Sequence, residues 1–143
     1  MYVNDLLETA AKIVREVDNG MKSSHCAILA NKGKILSVGI NKRKTHPRMM
    51  NKHNNRRFLH AEVAALINAN PNDLKNATLY VVRIGKGYNS DKMRLSKPCE
   101  FCQAAILHAK IKHVYYSISD NTVGHWNVRQ NTWETITKET DNG

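Results

Sequence analysis

Acidic residues, cysteine, proline and long apolar runs are all scarce in this chain of 143 residues. Three cysteines are too few for a disulfide framework, which fits a reducing compartment and sets the expectation of a cytoplasmic protein. Three prolines and 41% apolar residues fit a soluble globular domain. No apolar run approaches the ~20 residues that span a bilayer, so no membrane partner is expected. Residues 1–20 are amphipathic, carry Asp5, Glu8 and Glu16, and lack the apolar centre of a signal peptide. There are no internal repeats. The expectation is one domain over residues 1–130, followed by a polar, partly disordered tail over 131–143.

The shortage of acid has a pattern. Twelve Asp and Glu face 22 Lys and Arg, a formal net charge of +10. Residues 42–57 hold seven Lys or Arg and no acid, and residues 83–97 hold five against Asp91 alone. A basic surface of this kind suggests a phosphorylated substrate, a nucleic acid strand, or both. The plainer reading is a solvated face that keeps the chain soluble.

Hydrophobic spacing predicts the elements. Leu6, Leu7, Ala10, Ile13, Val14 and Val17 recur at helical intervals, giving a helix over 4–17 with Asn4 or Asp5 as its cap. Strands are expected over 25–29 and 34–40, joined by a turn at Asn31-Lys32-Gly33. A polar, basic loop follows, then a helix over 59–70 ended by Pro71. Next come a strand over 78–84, a loop over 85–97, a helix opened by Pro98 and running to about residue 110, and a strand over 113–119. The short gap at Asp120-Asn121 before a strand over 122–129 suits a hairpin rather than a crossover. The fold class is therefore α/β, with a mixed five-stranded sheet whose last strand is antiparallel.

Chemistry concentrates in two places, His60-Ala61-Glu62 and Pro98-Cys99 with Cys102. One imidazole and two thiolates offer three ligands for Zn²⁺ and leave its fourth position open, as catalytic sites do. Cys99 and Cys102 stand three apart at a helix start, where the helix dipole favours thiolates. Residues i and i+2 of a regular helix diverge, so His60 and Glu62 share a cavity only in the first, incompletely helical turn. Glu62 is then placed to carry protons. An isolated HxE or CxxC is a weak pattern. A structural zinc site would need a second CxxC or an HxxxH pair, and the chain has neither. His46 and His53 are either further ligands or loop residues, and the loop reading is the plainer. Cys26 reads as core. Trp126 and Trp133 either stack a base or pack on the sheet.

The order H-x-E…P-C-x-x-C is the general pattern of zinc-dependent nucleobase deaminases. On these residues the chain resembles the cytidine and deoxycytidylate deaminase superfamily, from the first helix to the strand at 113–119. Gly39-Ile40-Asn41 is similar to the family's Gly-x-Asn. Lys44-Thr45-His46-Pro47 with Ser96-Lys97-Pro98-Cys99 is similar to small deaminases of phages and large viruses. The resemblance implies a three-layer fold with helices on both sheet faces, Zn²⁺ on His60, Cys99 and Cys102, and Glu62 as the catalytic acid and base. It also implies substrate contacts from Asn41 and from the Ala61 N–H, and a homo-oligomer. The apparent hairpin after Ser119 departs from deoxycytidylate and tRNA adenosine deaminases, which place a helix there.

Two functions follow. One is hydrolytic deamination of a free cytosine nucleoside or nucleotide (cytidine, CMP or dCMP), with Lys44 and Arg48 among the cations that hold a phosphate. The other is deamination of cytosine or adenine within single-stranded DNA or RNA, tracked by the basic loops 42–57 and 83–97. A third class, a zinc-bearing binding protein without activity, is opposed by the intact Glu62.

Overall fold

The computed structural model of the chain describes residues 2–16, 23–41, 60–85 and 92–137. The amphipathic spacing near the start makes helix α1 (Tyr2–Glu16), whose Leu7, Ala10, Ala11 and Val14 form one buried stripe. Strands β1 (Ser23–Asn31) and β2 (Lys34–Ile40) follow as an antiparallel hairpin. Its turn is Lys32-Gly33, with φ of 52° and 80°. Positive φ at both positions gives the mirror-type turn that matches strand twist, and glycine adopts it without penalty.

Helix α2 (Ala61–Asn68) is followed by a short 3-10 turn at Pro71–Asp73 and by β3 (Thr78–Gly85). Then come β4 (Met93–Arg94), α3 (Glu100–His108), β5 (His113–Ser117), β6 (Thr122–Asn127) and β7 (Thr132–Thr137). The sheet order is β2-β1-β3-β5-β6-β7, with β4 paired to β3. Among the described residues only the β3–β5 pairing is parallel; the other ladders are antiparallel. The mixed α/β sheet and the antiparallel β6 match the expectation.

Among the described residues the sheet has seven strands rather than the expected five. Strand β4 is two residues long, too short for any alternation to show in sequence. Strand β7 replaces the expected disordered tail as far as Thr137. Its polar composition reflects an edge strand with a largely exposed outer side. Trp133 anchors it, stacked on Trp126 at 4.6 Å and 5° between planes. Residues 138–143 lie outside the described set.

Alternation along the two central strands divides the core. Cys26, Ile28 and Ala30 of β1, with Tyr80, Val82 and Ile84 of β3, pack under α1. Ala27 and Leu29, with Leu79 and Val81, face the other way, toward Ala61 and Ala65 of α2 and Ile106 of α3. Helices therefore cover both faces, which explains why β3 reads as a nearly continuous apolar run. Among the described residues, no helix is long and apolar enough to cross a membrane.

Both helices of the second face start later than the sequence suggested. His60 and Cys99 are the extended residues just before α2 and α3, with φ/ψ of −75°/146° and −71°/169°. Pro98 stands ahead of its helix, with its carbonyl accepting from the Gln103 side chain at 2.8 Å. The caps are the metal-ligand candidates themselves, so the boundary is set by the site.

Candidate metal centre and active site

The position of α2 is set by its contact with β2. A Cβ on Gly39 would come within 2.3 Å of the Ala61 carbonyl oxygen and of the Ala65 nitrogen. Only glycine lets the helix lie this close. Ser37 Oγ donates to the Ala65 carbonyl at 2.7 Å, and Asn68 Nδ2 donates to the Val38 carbonyl at 3.0 Å. Against α3, Val63 and Ala64 pack with Cys102.

The Pro-Cys segment is fixed by two serines. Ser96 N–H donates to the Ser117 carbonyl at 2.8 Å, and Ser96 Oγ lies 3.0 Å from the carbonyls of Val81 and Ser117. Ser117 Oγ donates to the Arg94 carbonyl at 2.7 Å. Lys97 adds a cation over the Trp133 ring, 4.4 Å from its centroid. The strand that the sequence hid thus holds the residue next to the metal motif.

These anchors bring two helix starts together. One ligand atom each of His60, Cys99 and Cys102 lies within 4.8 Å of the others, and Cys99 Sγ is 3.9 Å from His60 Nδ1. Sulfur at ~2.3 Å and nitrogen at ~2.1 Å from one ion would hold this set, with three protein ligands and one open position. The donors suit zinc. The Cys102 thiol, then the N–H groups of Cys102 and Phe101 and the charge of His60, pull Cys99 down to about 4 against the effect of burial. Cys102 moves the opposite way, because it keeps the proton that the pair shares and is itself buried. A bound cation would favour the thiolate form of both.

Glu62 completes the group. It stands in the first turn of α2, where the extended backbone at His60 resolves the divergence expected for residues two apart. Its carboxyl is buried, 5% exposed. Burial pushes it up to about 7, its own backbone N–H opposes, the Cys99 charge raises it and the Cys102 thiol lowers it. A group poised near neutrality can take and return a proton. A cation on the three ligands would lower it by direct attraction.

Asn41 lies at the end of β2, buried, with its Oδ1 accepting from the His25 N–H at 2.8 Å. Its own N–H donates to the His25 carbonyl at 3.3 Å. Ala61 is the first residue of α2, so its N–H is among those a helix start leaves without an intrahelical partner. Lys44 and Arg48, with His46, His53 and the whole loop 42–57, lie outside the described residues.

The sequence reading passed over His25. Burial, Arg83 and His60 in that order push its imidazole down to about 4, so it is neutral near pH 7. The available signal was its place on the same side of β1 as Ala27 and Leu29. Trp126 is core rather than a stacking platform: it is 1% exposed and its Nε1 donates to Asn131 Oδ1 at 3.1 Å.

A mixed sheet between two helical layers, with one histidine, two cysteines and a buried glutamate at two helix starts, defines a zinc-type hydrolytic deaminase. The family model for the cytidine and deoxycytidylate deaminase zinc-binding region matches residues 3–118, and the chain belongs to that family. Among solved structures it is similar to the dCMP deaminase of cyanophage S-TIM5 in apo form. The identity is 25% over 80% of this chain and 83% of that one, with a TM-score of 0.51. The same cyanophage enzyme in complex with dCMP and dUMP matches at 22% identity over 79% and 78% of the two chains, with a TM-score of 0.52. No curated protein matches the sequence at a significant level.

Proposed function

We propose that the protein deaminates a cytosine mononucleotide of the CMP or dCMP class, giving the uracil form and ammonia. The observation that carries this reading is the buried Glu62 carboxyl, which feels the Cys99 charge and the Cys102 thiol of the three-ligand group. The similarity to a phage dCMP deaminase supports the nucleotide class.

His60, Cys99 and Cys102 would hold the zinc ion, which supplies Lewis-acid activation of a water molecule. Glu62 takes a proton from that water and hands it to the ring nitrogen next to the attacked carbon. It then takes the remaining proton from the hydroxyl on the attacked carbon and delivers it to the departing amine as the carbonyl forms, so one water is consumed and one ammonia leaves. The Ala61 N–H binds the base carbonyl. Asn41, its rotamer fixed by the His25 N–H, binds the sugar or base. Lys44 and Arg48 remain candidates for the phosphate. The homo-oligomer that the family implies belongs to the same proposal and is checked by light scattering.

The test is an ammonia-release assay across cytidine, CMP, dCMP, dCTP, single-stranded DNA and tRNA. Turnover of dCMP or CMP is expected. Turnover of strands alone would replace this reading with the polynucleotide one. A salt titration adds a second check, because strand affinity falls steeply with salt and mononucleotide affinity much less.

A further inference from the structure

The arm that carries Cys99 rests on the far edge of the sheet. Strands β6 and β7 follow the residues 3–118 that the family model matches. Trp126 of β6 is in register with Trp133 of β7, and both pack on the face that carries α2 and α3. Tyr116 of β5 joins them there. It is in register with Gly124 of β6, and a Cβ on Gly124 would collide with the Tyr116 ring. Glycine at that position lets the ring cross β6 and meet Trp133 edge-on, with 6.0 Å between centroids and 63° between planes. Trp133 is thus held twice, by its stack on Trp126 and by the edge contact with Tyr116.

The held indole in turn carries Lys97, whose ammonium lies 4.4 Å from the ring centroid. Lys97 is otherwise exposed. A free surface lysine samples many rotamers, and a cation seated on a ring gives most of them up. Lys97 stands between Ser96, whose N–H donates to the Ser117 carbonyl, and Pro98, which has no N–H to give. Next comes Cys99, extended and with no side-chain cap bond of its own. Gln103 holds the Pro98 carbonyl from the helix side at 2.8 Å, and Trp133 holds Lys97 from the sheet side.

We propose that Trp133 is a positioning residue for the metal centre. Through Lys97 it fixes Pro98-Cys99, and so sets how tightly the site holds zinc. It acts on the reaction only through the ligand. This inference rests on His60, Cys99 and Cys102 as the zinc ligands, and not on which cytosine compound is deaminated.

The experiment measures zinc affinity by chelator competition on the full chain, for wild type, Lys97→Gln, Trp133→Leu and the pair. The same proteins loaded with Co²⁺ report the thiolate ligands through their charge-transfer and d–d absorption bands, a readout that a general loss of stability does not move. Each single substitution should weaken zinc binding about 3–10-fold and shift the cobalt bands. The pair should be no weaker than the weaker single, because the same contact is removed from both ends. Lys97→Arg keeps a cation on the ring and should restore wild-type affinity. Trp133→Leu also removes the stack on Trp126, so Lys97→Gln, at an exposed position, keeps the test valid should that variant fold poorly. Wild-type zinc affinity and unchanged cobalt bands in Lys97→Gln would overturn the proposal and leave Trp133 as a structural anchor of β7. Additive losses in the pair would overturn it too, since the two residues would then act separately. A wild type that holds no stoichiometric zinc contradicts the ligand assignment itself before any variant is made.

Discussion

Cys26 and Cys99 are the same residue type on opposite faces of one sheet, and their thiols shift in opposite directions. On the α1 face, burial pushes Cys26 up to about 12. On the α2 and α3 face, a neighbouring thiol pulls Cys99 down to about 4. The difference lies in how the helices meet the sheet. Helix α1 lays its flank on β1 and β3 and offers side chains only. Helices α2 and α3 bring their N-termini together, with His60 and Cys99 as the last extended residues before each. A helix flank buries; a helix start presents N–H groups and positive potential. The fold thus buries one thiol away from the site and groups the other two with His60, where they could hold a metal ion.

The contrast breaks most completely at a ligand. Cys102→Ala should abolish stoichiometric zinc and lower turnover on the order of 10³-fold or more, with metal analysis and ammonia release as the readouts. The matching change on the other face, Cys26→Ala, should leave zinc content unchanged, and a loss of zinc there would contradict the division of roles.

A smaller effect concerns His25. Its pKa is about 4 in the folded chain and about 6.5 unfolded, so the unfolded state binds more protons between those values. Stability from this group is present above pH ~6.5 and is lost as pH falls through ~4, up to about 3 kcal/mol. Denaturation of metal-free wild type and His25→Asn across this window should show a steeper loss for wild type. Parallel curves would mean that His25 is not held neutral.

The third change acts on the packing that creates the contrast. Gly39→Ala forces α2 away from β2, because its Cβ would meet backbone atoms at 2.3 Å. A cost of about 1–3 kcal/mol in thermal or denaturant unfolding is expected, together with weaker zinc retention. A variant as stable as wild type would show that the close approach does not position His60.

The metal motif was legible because its parts are local: His60 with Glu62, and Cys99 with Cys102, each fall within one helix turn. The antiparallel β6 was legible because so short a gap cannot hold a crossover. What escaped the sequence depends on contacts between distant segments. Strand β7 looks like a polar tail until Trp133 meets Trp126, and β4 has no pattern of its own. Pro98 reads as a helix start, yet the helix waits for Cys99 to serve as its cap. His25 and Arg83 become neighbours only through the β1–β3 register, which no local spacing encodes.

The central claim is that the two helix starts hold zinc and that Glu62 moves the proton. The most direct measurement is zinc stoichiometry and dCMP turnover on one preparation of Glu62→Gln. The account predicts one zinc per chain, as in wild type, and turnover reduced by about 10²–10⁴-fold. Near-normal turnover with zinc retained would contradict it.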